Sequence, residues 1–289
     1  MHKSGFVNII GNPNVGKSTL MNALVGEKLS IITSKAQTTR HRIMGIVSGE
    51  DFQIVYSDTP GILKPSYKLQ ESMMKFVTDA DVILYVTDTV EQGDRSAEII
   101  GRIRESGIPT VVVINKIDLS TPEALDALVD KWRQELPEAQ IVPASAKENF
   151  NIEGLFKTIL ALLPEGPAFY PKETLTDKTL RFFASEIIRE KILKFYDKEI
   201  PYCCEIEIDS YREEPTIDRI AATIYVARDS QKGILIGHKG EKLKRVGQTA
   251  REDMEEFLGK KVFLQLFVKV SDDWRNNERQ LRRFGYELE

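Results

Sequence analysis

Cysteine and histidine are scarce in this chain, and long apolar runs are missing. The only two cysteines, Cys203 and Cys204, are adjacent, so they form neither a disulfide framework nor a paired Cys/His zinc pattern. Three scattered histidines do not form a metal-binding pattern either. No apolar run approaches the ~18 residues of a membrane-spanning helix, and the strand-like run Phe6–Ile10 is too short for a signal-peptide core. We therefore expect a cytoplasmic protein with reduced thiols.

The composition is that of a folded protein with room for two domains. The chain has 289 residues, of which 42% are hydrophobic and 29% charged, with a formal net charge of −4. One short segment departs from this mild balance: between positions 232 and 251, six basic residues accompany the single acid Glu241. This excess predicts a phosphate-facing patch, although a solvated helix face would have the same pattern. The basic residues are Lys232, Lys239, Lys242, Lys244, Arg245 and Arg251.

The first part of the chain alternates short apolar runs with helical patterns. This alternation is typical of an α/β domain with a mostly parallel sheet, and we assign residues 1–165 to it. Strand-like runs occur at Phe6–Ile10, Phe52–Tyr56, Val82–Val86, Val111–Ile114 and Ile141–Val142. Helix-like stretches occur at Ser18–Val25, Lys68–Thr78, Ala97–Glu105, Pro122–Leu136 and Ile152–Leu162.

The pattern changes after a proline-rich stretch. Prolines at 164, 167 and 171 indicate a stiff, extended connection, and we place a linker at 166–177. Residues 178–289 then follow the order helix, two strands, helix, helix, strand, which predicts a small α+β domain. The stretch around Cys203 and Cys204 is interpreted as strand, and Trp274–Phe284 as a closing helix rich in arginine.

A phosphate-binding motif lies between the first strand and the first helix. The segment Gly11–Ser18 matches G-x-x-x-x-G-K-S, whose glycines let backbone N–H groups surround phosphate oxygens. Lys17 is expected to reach the β- and γ-phosphates, and the Ser18 hydroxyl to ligate Mg²⁺.

Three further motifs follow in the order that a GTPase requires. Asp58-Thr59-Pro60-Gly61 comes at the end of an apolar strand, where Asp58 would hold Mg²⁺ and Gly61 would sense the γ-phosphate. In Asn115-Lys116-Ile117-Asp118, the Asp118 carboxylate would accept hydrogen bonds from two guanine donors that adenine does not have. Ser145-Ala146-Lys147 follows the last strand and is placed to offer an N–H to the guanine O6. Each tetrapeptide is weak alone, but their order at the ends of strands is specific.

Together with Gln37-Thr38-Thr39-Arg40-His41-Arg42 and Asp58–Ile62, these motifs resemble the Era family of bacterial ribosome-assembly GTPases, which belongs to the TrmE-Era-EngA-like translation-factor GTPases. The resemblance covers essentially the whole chain. It implies an α/β P-loop GTPase domain with a mostly parallel six-stranded sheet, followed by an α+β type II KH domain. It also implies that Thr39 is the switch threonine that closes on Mg²⁺, with Thr38 as the alternative. Ile62 stands where Ras-like enzymes carry a water-orienting glutamine, so slow intrinsic hydrolysis is expected.

The resemblance and the motifs together give the candidate nucleotide site. We expect GTP or GDP and Mg²⁺ as ligands, with catalytic roles for Lys17, Thr39, Asp58 and Gly61. The metal ligands would be Ser18, Thr39 and Asp58. The GTP-binding residues would be Gly11, Asn12, Pro13, Asn14, Val15, Gly16, Lys17, Ser18, Thr19, Asp58, Thr59, Pro60, Gly61, Ile62, Asn115, Lys116, Asp118, Ser145, Ala146 and Lys147.

A second motif, Gly237-His238-Lys239-Gly240, resembles the G-x-x-G loop of a KH domain. Two glycines allow the backbone to approach a sugar-phosphate chain, and apolar neighbours can form the floor of a groove for about four unpaired nucleotides. Alone the motif is a common turn, but a basic helix follows it. The expected RNA-binding residues are Ile234, Ile236, Gly237, His238, Lys239, Gly240, Lys242, Lys244 and Arg245.

The resemblance implies a GTP-hydrolysing switch that binds the single-stranded 3′ end of 16S rRNA and acts in assembly of the 30S ribosomal subunit and in rRNA maturation. We expect a monomer, with peripheral contact at the inner face of the cell membrane as an open alternative. Two other functions compete with this one. The first is a GTPase whose second domain docks on a protein or membrane, and the second is a P-loop enzyme that phosphorylates a small molecule.

Overall fold

The computed structural model describes residues 1–33, 35, 38–58, 79–90, 97–272, 274 and 277–286. The chain divides into two compact units, Met1–Asp177 and Lys178–Glu289. Among the described residues, no helix is both long enough and apolar enough to span a bilayer.

The first unit is built on a sheet that contains six strands in the described part of the chain. Their order is β2-β3-β1-β4-β5-β6, and every neighbouring pair is parallel except β2–β3. All residues of β4 and β5 are buried, as expected for strands that are covered on both faces. The strands are β1 Lys3–Gly11, β2 Ile43–Ser48, β3 Phe52–Asp58, β4 Val82–Asp88, β5 Thr110–Asn115 and β6 Gln140–Pro143.

Helices connect these strands, and local sequence signals set their ends. The helix Pro122–Glu135 starts with proline in its first turn, and the Thr121 hydroxyl accepts a hydrogen bond from the Ala124 N–H. The first helix ends at Gly26, which has a φ of 81°. The helices are α1 Lys17–Val25, α2 Ala97–Ser106, α3 Pro122–Glu135 and α4 Ile152–Leu162. The helix predicted at 68–78 lies outside the described residues.

Strand β2 is absent from the predicted strands, because it is a half-exposed edge strand interrupted by Gly45. That glycine faces α1: a Cβ on it would lie 2.6 Å from Val25 Cγ2. The close approach of strand and helix therefore requires glycine here.

Residues 166–177 pack along the β2–β3 side of the first unit. Ile46 N–H donates to Leu175 O (2.8 Å), and Gln53 Oε1 accepts from Phe169 N–H (2.7 Å) and Tyr170 N–H (2.9 Å). The predicted linker is thus held by hydrogen bonds to the first unit, and the second unit begins at Lys178.

The second unit is an α+β domain with the strand order β7-β8-β9. Strands β7 and β8 are antiparallel, whereas β8 and β9 are parallel. Helices α5 and α8 pack against the sheet around a core that includes Val246, Ala250 and Met254, as their helical spacing predicts. The elements are α5 Leu180–Phe195, α6 Ile200–Cys203, β7 Glu205–Glu213, β8 Ile217–Val226, α7 Asp229–Ile236, α8 Glu241–Leu258, β9 Lys261–Val270 and α9 Glu278–Arg283.

Two local predictions for this unit were wrong. Cys203 ends the short helix α6 rather than lying in a strand, because Pro201 begins a helical turn; both cysteines are buried. The closing helix is shorter than predicted: α9 begins after Asn277, whose side chain caps it, and Gly285, with a φ of 83°, follows its end.

Candidate nucleotide and RNA sites

The glycine-rich loop joins β1 to the N-terminus of α1. Gly11 and Gly16 have φ values of 150° and 97°. A Cβ on Gly11 would lie 2.1 Å from Val86 O, and one on Gly16 would lie 2.3 Å from Asn115 Nδ2. Both positions therefore require glycine. The helix N-terminus behind the loop favours an anion in front of it.

Lys17 directs its charge into this loop. The side chain is buried, and its ammonium donates hydrogen bonds to Gly11 O (3.0 Å) and Asn12 O (2.8 Å). The loop carbonyls thus hold the Lys17 ammonium at the position from which the motif requires it to bind phosphate oxygens.

Three oxygen-bearing side chains meet beside Lys17. The Ser18 hydroxyl donates to Asp58 Oδ2 (2.7 Å) and lies 2.9 Å from the Thr39 hydroxyl. Asp58 is fully buried, yet its Oδ1 atom has no hydrogen-bond partner among the described residues. A buried carboxylate oxygen without a partner is costly, and a hydrated cation would satisfy it. The three predicted metal ligands therefore fit Mg²⁺, which prefers oxygen ligands and retains water.

The environment of Asp58 acts on its protonation in two directions. Burial raises the pKa of the Asp58 carboxyl above its ordinary value. The hydrogen bond from Ser18, the charge of Lys17, the hydrogen bond from Ser30 and the nearby Thr39 hydroxyl oppose that shift by lowering the pKa. A divalent cation at Oδ1 would also favour the ionised carboxylate.

The two candidate switch threonines have different surroundings. The Thr39 hydroxyl is beside Ser18, whereas the Thr38 hydroxyl donates to Lys35 O (2.6 Å) and lies 2.8 Å from the Thr33 hydroxyl. This geometry favours Thr39 as the metal ligand.

Asn115 joins the loop after β1 to the loop after β6. Its side chain is buried, with Nδ2 donating to Val15 O (2.9 Å) and Oδ1 accepting from Ala146 N–H (3.0 Å). One amide thus fixes the distance between the phosphate loop and the Ser145–Lys147 segment.

The predicted guanine-binding residues lie on the same edge of the sheet. Asp118 is exposed, and its Oδ1 accepts a hydrogen bond from the Ser145 hydroxyl (2.5 Å), which orients the carboxylate. The ammonium of Lys116 donates to Asn14 O (2.6 Å) and to the buried Asp88 carboxylate (2.5 Å). Lys147 is exposed, and its pKa is raised by the hydrogen bond and charge of Glu148.

Thr59, Pro60, Gly61 and Ile62 lie outside the described residues, as does Gln37 of the switch motif.

The glycine loop of the second unit connects α7 to α8 by a short 3₁₀ turn at His238–Gly240. Gly237, Lys239 and Gly240 have φ values of 74°, 49° and 80°, so the backbone makes a tight turn of left-handed residues. The Tyr196 hydroxyl donates to Leu235 O (2.6 Å) and fixes α7 just before the loop.

The basic side chains expected to bind RNA surround this loop. His238, Lys239, Lys242, Lys244 and Arg245 are exposed. Two of them lie over aromatic rings at the end of α5: the Arg245 guanidinium is 4.3 Å from the Phe195 ring centroid, and the Lys242 ammonium is 5.8 Å from that of Tyr196. Ile234 is exposed on α7, and Ile236 is half-buried. The loop thus combines accessible charge with an apolar neighbour.

Known proteins match both units of the chain. Residues 6–116 match the family described as 50S ribosome-binding GTPase, and residues 199–275 match the KH domain family. GTPase Era of Alkaliphilus metalliredigens is 46% identical over 295 residues, covering 99% of both chains. GTPase Era of Staphylococcus haemolyticus is 45% identical over 291 residues, covering 99% of this chain and 97% of that one. The chain belongs to the Era family of GTPases.

Solved structures of Era share the whole fold. Era in complex with MgGDPNP and nucleotides 1506–1542 of 16S ribosomal RNA is 40% identical, covers 100% of both chains and has a TM-score of 0.93. A variant of Aquifex aeolicus Era bound to GDP and AlF₄⁻ is 41% identical, covers 99% of this chain and 100% of that one, and has the same TM-score. The predicted fold class and the predicted GTPase identity are confirmed.

Several residues of the site lie outside the predicted motifs. Ser30 donates to Asp58, Asp88 pairs with Lys116, and Phe195 and Tyr196 lie beneath the basic side chains of the Era-type second unit. Only Asp88 had a detectable signal, because it ends the apolar strand β4 on the edge where ligands bind.

Proposed function

We propose that this Era-family chain binds GTP with Mg²⁺ on the first unit, hydrolyses it to GDP and phosphate, and uses the second unit to bind the 3′ end of 16S rRNA. In this proposal the nucleotide state alters the affinity for RNA, and the protein acts in 30S subunit assembly and rRNA maturation. The observation that carries the nucleotide site is the buried Oδ1 of Asp58, which lies beside Ser18 and Thr39 and has no hydrogen-bond partner within the described part of the chain.

The predicted site residues of the first unit each have a role in this proposal. Lys17 and the N–H groups of the glycine-rich loop bind the phosphates, while Ser18, Thr39 and Asp58 hold the cation. Mg²⁺, when bound, neutralises negative charge on the β- and γ-phosphate oxygens. Asp118, oriented by Ser145, accepts the guanine donors. Thr59, Pro60, Gly61 and Ile62 complete the sequence motif. The apolar Ile62 cannot orient water, so the intrinsic rate is slow.

For RNA, the exposed cations contact phosphates and the glycine turn lets the backbone approach the strand. Stacking on Phe195 and Tyr196 limits the freedom of Arg245 and Lys242, so less conformational entropy is lost on binding. The solved complex of Era with nucleotides 1506–1542 of 16S rRNA supports this choice of partner over a protein or membrane surface. The proposal places the protein in the cytoplasm as a monomer that meets the 30S subunit. Peripheral contact with the inner membrane face remains the alternative location.

The test is binding of a single-stranded RNA with the 16S 3′ sequence, compared with a scrambled RNA. It is measured at 50 and 200 mM salt, with GDP and with a non-hydrolysable GTP analogue. If Lys239, Lys242, Lys244 and Arg245 contact four phosphates, affinity falls about 50-fold between the two salt concentrations. A preference for one nucleotide and for the 16S sequence supports the proposal. Equal, weak binding in all four conditions overturns it and points to a protein or membrane partner.

A further inference from the structure

A serine outside every nucleotide-binding motif contacts the carboxylate expected to hold the cation. Ser30 follows α1 and is 1% exposed. Its hydroxyl donates to Asp58 Oδ2 (3.0 Å), the same oxygen that accepts from Ser18 (2.7 Å). Two donors on Oδ2 fix the carboxylate plane and leave Oδ1 for another ligand. Unlike Ser18, Ser30 is not an expected metal ligand.

The backbone that carries Ser30 is fixed to α1 by one amide side chain. Asn22 Oδ1 accepts from Leu29 N–H (3.0 Å) and Ser30 N–H (2.9 Å), and Asn22 Nδ2 donates to Ser30 O (2.8 Å). Asn22 lies four residues after Ser18, so both side chains project from the same face of α1. The helix that supplies the serine of the phosphate loop therefore also positions Ser30.

We propose that Ser30, held in place by Asn22, is a positioning residue for the Mg²⁺ site: it orients the Asp58 carboxylate so that Oδ1 faces the cation. The inference rests on the proposed function, because it assumes that the cation binds with nucleotide at Ser18, Thr39 and Asp58. Partners of metal-binding side chains typically change metal affinity 10- to 100-fold when they are removed. We expect an effect in this range from loss of the Ser30 hydroxyl.

The experiment measures release of fluorescently labelled GDP at a series of buffered free Mg²⁺ concentrations. For Ser30→Ala, the Mg²⁺ concentration that gives half-maximal slowing of release should rise at least about tenfold. Release in excess EDTA should stay within about twofold of wild type, because phosphate and base contacts are unchanged. The matched control is Ser4→Ala, which removes a hydroxyl that is also buried and donates to Pro167 O (2.6 Å) at the opposite end of β1. Its Mg²⁺ dependence should equal that of wild type.

Asn22→Ala supplies a second readout. It should shift the Mg²⁺ dependence in the same direction as Ser30→Ala. The double variant, Asn22→Ala with Ser30→Ala, should show little further shift beyond Ser30→Ala alone, because both changes act through the one hydrogen bond from Ser30 to Asp58. Additive shifts would contradict this coupling.

The remaining outcomes separate the inference from the proposed function. If Asp58→Asn shifts the Mg²⁺ dependence and Ser30→Ala does not, the positioning role is overturned and the metal site remains. If Ser30→Ala changes release equally with Mg²⁺ and with EDTA, Ser30 is only structural, which also overturns the inference. If wild-type release does not respond to Mg²⁺ at all, the proposed nucleotide site itself fails.

Discussion

Asn115 gives the sharpest prediction, because one buried side chain connects two loops of the nucleotide site. Asn115→Ala removes the donor to Val15 O and the acceptor of Ala146 N–H. Val15 is 2% and Ala146 7% exposed, so both backbone groups are left without a partner away from water. Each unsatisfied group costs about 1–3 kcal/mol, which gives a loss of about 2–6 kcal/mol in the free energy of unfolding of the first unit.

This loss is measurable in two ways. For a unit of 177 residues, 1 kcal/mol corresponds to about 2–4 °C in melting temperature, so the first unit should melt at least about 4 °C lower. GDP release should also accelerate at least about tenfold, because the phosphate loop and the Ser145–Lys147 segment are no longer held at a fixed distance.

Two further variants control this experiment. Asn115→Asp keeps the acceptor for Ala146 N–H but places a carboxylate oxygen against Val15 O, so it should be as harmful as alanine. Asn151→Ala removes an exposed amide that donates to Pro143 O (2.8 Å), and it should leave GDP release unchanged. An Asn115→Ala protein with wild-type melting and wild-type GDP release would refute the assigned role of this amide.

Three other variants test the remaining parts of the site. Lys17→Ala should abolish GTP binding in an equilibrium titration, because it removes the ammonium that the Gly11 and Asn12 carbonyls hold in the glycine-rich loop; unchanged affinity would contradict the phosphate assignment. Asp118→Asn should shift base preference from guanine toward xanthine in a competition assay, and no shift would remove the guanine assignment. Gly237→Asp should weaken RNA binding at least about tenfold and leave basal GTP hydrolysis intact, because φ is 74° and an added Cβ would lie 2.7 Å from the Lys242 side chain. Its control is Gly259→Asp, the same change at a φ of 62° at the far end of α8, where no atom of the described residues lies within 4 Å of the added Cβ; equal losses in both would indicate a general effect of charge or folding.

Much of the fold could be predicted because its signals are local. Strands β4 and β5 are continuous apolar runs, and α8 has core residues at helical spacing. Strand β2 could not be recognised this way, since its pairing with β3 and the approach of Gly45 to α1 are tertiary properties. The wrong prediction at Cys203 has a local cause instead, because Pro201 begins a helical turn there.

In the candidate site, too, residues that belong to local motifs could be predicted, whereas residues that contact them from distant positions could not. Motif residues such as Lys17 and Asp118 are visible in the sequence because their chemistry needs fixed residue types at fixed spacing. The side chains that orient them act across long separations, and no spacing rule relates their positions. Ser30 reaches Asp58 across 28 positions, and Asn115 reaches Val15 across 100.

These supporting contacts differ in strength on the two sides of the nucleotide site. On the base side, Asn115 bonds directly to backbone on two loops, and Lys116 bonds to both Asn14 and Asp88. On the metal side, Thr39 is related to the site by the contact between its hydroxyl and that of Ser18. A network of several bonds resists rearrangement, whereas a single hydroxyl contact can be exchanged for a cation ligand at small cost. We therefore expect the Asn115 side of the site to stay fixed while Thr39 responds to the nucleotide, as a GTPase switch requires.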